Sequence, residues 1–148
     1  MGLWKKLSHR YFIDAMGAMA YGLFASLLIG TIFNALGMIP GLSVLGLIGK
    51  DTAKVAGPAM AVSIAVSLKA APLVVYSSAL VGWLANSYGG AGGPLAVLII
   101  TIIACEVGML VSKKTKVDIL VTPFVTILVG GLISVFGAPY IEIGRAHV

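Results

Sequence analysis

Two apolar runs, Leu95 to Val111 and Ile119 to Phe136, decide what this chain can fold into. Each approaches the ~17–25 residues with which a helix crosses a bilayer core. Between and against them stands KKTKVD, Lys113 to Asp118, which sets three lysines and an aspartate directly beside apolar residues. A border that abrupt between charge and oil is what a membrane surface requires. Composition agrees: 59% of the 148 residues are hydrophobic, only 10% are charged, and the mean hydropathy is +1.08, whereas soluble domains carry roughly 25% charged residues. The pattern predicts an all-α, polytopic membrane protein.

The net charge of +5, with a pI near 9.5, is therefore read by position. Clustered Lys and Arg mark the cytoplasmic flanks of membrane spans, so this basic balance is not a nucleic-acid footprint and no nucleic-acid partner is expected. Lys5, Lys6 and Arg10 precede the first span and Lys113, Lys114 and Lys116 follow a later one, which puts both clusters and the N-terminus in the cytoplasm. The single cysteine, Cys105, lies inside an apolar run; it offers neither a disulfide framework nor a metal cluster and is read as packing. The apolar stretch from Ala15 to Ile48 far exceeds the ~7–15 residues of a signal-peptide core, so it is a retained first span.

Along the chain, a first helix is expected from about Tyr11 to Leu36, followed by GMIPGLSVLGLIGKD, too interrupted by Gly and Pro for a clean span and read as a half-buried connector. The stretch Val55 to Tyr88 carries Lys69 and Pro72 near its middle. As one helix it would run about 50 Å, too long for one span, so a break is expected there. GGAGGP, Gly89 to Pro94, lacks the Gly-Lys-Ser/Thr ending of a phosphate loop and reads as a tight turn on the outer side. Spans at Leu95–Ser112 and Ile119–Phe136 complete a bundle of about five transmembrane helices with a broken or re-entrant segment. Counting crossings from a cytoplasmic start returns Lys69 and Lys113 to the cytoplasm and leaves Lys50 and Lys54 outside, where Asp51 offsets one of them. The terminal IGRAHV, Ile143 to Val148, resembles the translation of a sequencing adapter; it is read as non-native, and residues 1–140 as the N-terminal half of a larger bundle.

Small residues recur every fourth position on the first helix, at Ala18, Gly22, Ser26, Gly30 and Asn34, and again at Thr101, Ala104/Cys105, Gly108 and Ser112. Such stripes let helix backbones approach closely in lipid, and both are read as packing faces, with Asn34 also a candidate polar contact at a pathway end. Two ionisable groups fall at or near membrane depth, where charge is costly unless it faces a partner or a cavity. Glu106, roughly 10 Å from the Lys113 border, is a candidate lining residue or half of an ion pair. Lys69 is a flank charge or part of an interrupted segment of the kind that points to a transport site. In KTKVDILVTP, Asp118 is expected to cap a helix start, Thr122 to hydrogen-bond along it, and Pro123 to fall in its first turns. With Lys114 and Lys116 these residues form a membrane-entry motif.

Three segments carry a family resemblance: RYFIDAMGAMAYGLFASLLIGTI, AVSLKAAPLVVYSSALVG and, above all, KKTKVDILVTPFVTILVGG. From Tyr11 to Tyr140 the chain resembles the EIIC-type membrane family of the bacterial phosphotransferase system, including the group named after the toxin regulator PfoR. That resemblance implies a permease conducting a sugar across the bacterial plasma membrane, working as a homodimer among membrane lipids with soluble phosphoryl-carrying EIIA and EIIB subunits and no cofactor. The alternative it leaves open is a PfoR-like membrane sensor without transport. A phosphoryl relay needs an activated His or Cys at an aqueous site; outside the suspect tail the chain offers His9 and Cys105, so no phosphoryl carrier is expected within it.

Overall fold

In lipid every backbone amide must be satisfied within its own segment, and most of the described residues meet this as helix. The computed structural model describes residues 2–112, 114 and 118–146; the expectations placed on Lys113, Lys116 and residues 147–148 fall outside these. Among the described residues there are six helices and no strand: α1 Gly2–Leu36, α2 Ser43–Lys54, α3 Ala56–Ser67, α4 Pro72–Gly89, α5 Gly93–Val111 and α6 Asp118–Ala146.

Three of them, α1, α5 and α6 over Asp118–Ile141, are long and apolar enough to cross a membrane. The 12-residue α3 rises only about 18 Å, little more than half of a ~30 Å core, and α4 has 18 residues. Where about five crossings were expected, the fold thus supplies three candidates both long and apolar enough, with the short α3 and the less apolar α4 meeting at the expected break. The boundaries differ in three places. Helix α1 begins at Gly2, ahead of Tyr11, because Lys5, Lys6 and Arg10 end the apolar window without ending the helix. The expected connector is helical from Ser43, since its breakers are confined to the turn before it, where Gly41 takes φ 87°. Finally, α6 passes Phe136 and carries Pro139 within it.

Helix α4 is central, packed against α3, α5 and α6, while α1 lies along α3 and then α2. The core between α3, α4 and α5 is built from Met60, Ile64, Leu68, Val74, Val81, Ile100 and Ala104. Two crossings depend on glycine. A methyl at Gly22 would come within 2.7 Å of the Ala59 carbonyl oxygen, and one at Gly57 within 2.5 Å of the Gly82 carbonyl oxygen. The first small-residue stripe is therefore a packing face: Gly22 meets α3, and Gly30 and Asn34 meet Gly49 of α2. On the second, Gly108 faces Thr126 and Val74, and Thr101, Ala104 and Cys105 are fully buried.

Four-residue spacing from Gly22 to Asn34 should drift about 120° around an α-helix of 100° per residue, which would carry Asn34 off the packed face. A π-helical turn at Phe24–Leu28 prevents this. It takes in one extra residue, removing about 100° of the drift. The turn disturbs the carbonyl ladder, and the buried Ser26 hydroxyl donates to the Gly22 carbonyl at 2.7 Å and lies 3.4 Å from that of Leu23. A second π-helical turn spans His9–Asp14.

Candidate functional site

The break between α3 and α4 creates an unsatisfied acceptor. Helix α3 closes with the Lys69 N–H on the Val66 carbonyl (3.0 Å) and the Ala70 N–H on the Ala65 carbonyl (3.1 Å), the paired bonds of a helix end that turns through a left-handed residue. That residue is Lys69, at φ 58°. Ala71 is extended, and Pro72 opens α4, where its missing N–H matters least to that helix. The Leu68 carbonyl, at the closed end of α3, is one of the last carbonyls of that helix and has no donor within it.

Arg10 supplies the missing donor. Its Nη2 donates to the Leu68 carbonyl at 2.9 Å, and Nη2 and Nε both donate to Glu106 Oε1, at 2.9 and 3.2 Å. One planar guanidinium thus joins α1, the α3–α4 link and α5, a geometry that the fork of arginine fits and a lysine does not. The guanidinium also lies 5.8 Å from the Tyr11 ring centroid, within cation–π range. The ion pair is accessible, with side-chain exposures of 33% for Arg10 and 36% for Glu106.

Of the residues singled out in the sequence, Glu106 lies here as half of an ion pair, the second of the two readings given for it. Lys69 is in the link, facing a cleft of about 560 Å³ that it lines with Lys5, Lys6, His9, Arg10, Asp14 and Ser67. Asn34 is not brought to this site. It sits 24 residues from Arg10 along α1, about 36 Å away by helical rise, against Gly49. Near it, Lys54 pairs with Asp51 at 2.9 Å.

The membrane-entry motif opens α6. Asp118 is the first residue of α6, and the Thr122 hydroxyl donates to its carboxylate. Lys114 is exposed. Pro123 is inside α6, past the positions where a missing N–H is free, and leaves the Ile119 carbonyl without its usual donor. Sequence reasoning missed Arg10, which it took for a flank charge. The available signal was its being arginine where the neighbouring flank positions carry lysine: a carboxylate at depth calls for a forked cation.

The match to known proteins is to a family. Residues 13–144 match the family described as phosphotransferase system, EIIC. No curated protein and no solved structure matches the chain. With the match extending over most of the sequence and an all-α bundle with three apolar spans beneath it, the chain belongs to the EIIC family, the membrane component of the phosphotransferase system.

Proposed function

We propose that this protein conducts a sugar across the bacterial plasma membrane as the permease of a phosphoenolpyruvate-dependent phosphotransferase system, as a homodimer with its N-terminus in the cytoplasm. Family membership implies a sugar substrate and soluble EIIA and EIIB partners as a class. The observation that carries the finer reading is the Arg10–Glu106 fork at the helix break. A carboxylate held by arginine and one-third exposed accepts hydrogen bonds from vicinal hydroxyls, and the guanidinium donates to ring or hydroxyl oxygens. Lys69, in the adjacent cleft, is a second sugar contact in this reading. The phosphoryl group arrives from the partners: Cys105 is fully buried, beyond reach of a soluble donor.

A panel of sugars screened by thermal shift of the purified protein tests this. One sugar is expected to raise the melting temperature, since a bound ligand stabilises the native state by mass action. Glu106→Gln is expected to weaken its binding by about 1.5–3 kcal/mol, the worth of a hydrogen bond to a charged group. A panel without any shift, or unchanged affinity in the variant, overturns the reading.

Orientation rests on charge. Lys5, Lys6, Arg10 and Lys69 meet at one end of the bundle, the end towards which α5 runs and after which Lys114 follows, whereas the Gly90–Gly92 turn starts α5 at the other. In a background with Cys105 replaced, cysteines at positions 6 and 114 are expected to resist an impermeant thiol reagent in intact cells, and one at position 91 to react. Outside labelling at position 114 would sink the topology.

A further inference from the structure

The basic cleft does not end at its charges. Asp14 and Ser67, part of its wall, also line a second cavity of about 600 Å³ between α1 and α3, walled mostly by apolar side chains that include Ile13, Tyr21, Val62 and Val66. The two cavities share this wall, one polar and cationic at the bundle end and the other mostly apolar beside it. From Ile13 to Tyr21 the groove follows α1 for about 12 Å, and the surrounding α1 side chains Phe12, Ile13 and Tyr21 are exposed, so the groove opens sideways, to lipid.

Three of the charges at its head are uncommitted. Arg10 is taken up by Glu106 and the Leu68 carbonyl, and His9 by Asp14 at 3.4 Å. Lys5, Lys6 and Lys69 have no carboxylate partner among the described residues. Depth fits as well: Trp4, beside Lys5 and 75% exposed, is the residue type that settles at the headgroup level. Lys69, moreover, holds φ 58° at a helix-end position where glycine is the usual occupant. A lysine there strains its own backbone by about 1 kcal/mol or more.

We propose that this feature is a binding site for an anionic phospholipid, with the headgroup phosphate among Lys5, Lys6 and Lys69 and one acyl chain in the α1–α3 groove. Basic pockets between helices at the cytoplasmic face are suited to such headgroups, and the groove supplies the apolar contact that free phosphate cannot use. The headgroup end shares Lys69 with the proposed sugar site, but lipid retention is read without sugar present, and the site would serve a sensor as well as a permease.

Detergent-purified protein titrated with phosphatidylglycerol, with phosphatidylcholine of the same chains, and with inorganic phosphate, followed by native mass spectrometry and melting temperature, tests this. Phosphatidylglycerol is expected to be retained over phosphatidylcholine and to raise the melting temperature, with phosphate doing neither. Lys69→Gly, which relieves the left-handed strain, and Lys6→Gln are each expected to lower retention about fivefold, from roughly 1 kcal/mol per surface lysine. Gly17→Leu fills the groove at a position where an added methyl meets nothing within 4 Å, and is expected to lower retention without unfolding the protein. Equal retention of the two lipids, an equal response to phosphate, or unaltered retention in all three variants overturns the proposal.

Discussion

Gly82→Ala is expected to destabilise the bundle while Gly17→Ala stabilises it, although both add one methyl to an apolar helix. At Gly82 the methyl would sit 2.5 Å from the Ala61 Cβ and closer still to the Gly57 carbonyl oxygen. Backbone cannot swing aside as a side chain can, so α3 and α4 must separate, and overpacking of this kind costs about 1–3 kcal/mol. The central position of α4 pushes the effect to the upper end, because α5 and α6 pack on the same helix. At Gly17 nothing lies within 4 Å, and alanine gains about 0.8–1 kcal/mol of helix propensity. Unfolding of the two variants in a titration from mild detergent to dodecyl sulfate reads both. Effects of the same sign would mean that the α3–α4 crossing is looser than the Gly57–Gly82 contact implies.

The second large effect belongs to Arg10. Arg10→Met removes donors from two acceptors at once, the Glu106 carboxylate and the Leu68 carbonyl at the end of α3. Removing one partner of a fully buried pair costs about 3–5 kcal/mol. With a third of each side chain exposed, solvent and snorkelling cut this to about 1–3 kcal/mol. Glu106→Met should be milder, since the guanidinium keeps the Leu68 carbonyl. The double variant should recover most of the Arg10→Met loss but not all of it, because that carbonyl still lacks a donor. Arg10→Lys should fail to rescue, as one ammonium on a flexible stem does not reproduce the fork. The same detergent titration applied to all four chains measures the coupling, and additive single effects would show that the bridge contributes nothing to stability.

Much of the architecture was legible because hydropathy and length act locally. The runs that became α5 and α6, the break at Lys69 and Pro72, and the packing role of Gly22 and Gly30 follow from residues a few positions apart. Helix ends were less legible: Lys5 and Lys6 bound the apolar window, but lysine is a good helix former, so α1 runs on to Gly2. The short α2 was hidden because Pro40 and Gly41 made its whole segment look broken, when both are spent in the turn before Ser43. The bridge was out of reach for a different reason. Arg10 and Glu106 are 96 positions apart, and nothing local couples them; only the docking of α1 alongside α3 brings the arginine to the carboxylate. Asn34 was grouped with Glu106 on polarity alone, and the length of α1 separates them.

The π-helical turn at Phe24–Leu28 has a consequence for how this sequence can change over time. The extra residue keeps Gly30 and Asn34 on the face that meets α2, and Ser26 serves the carbonyls that the turn disturbs. Losing the serine alone would strip a donor where no water replaces it, and losing the residue alone would turn Gly30 away from Gly49. A lineage can alter both together and return to plain helix only if α2 is re-matched in the same history. The turn and its serine thus act as a unit, and a single-residue deletion here would be an in-frame change with the reach of a rearrangement.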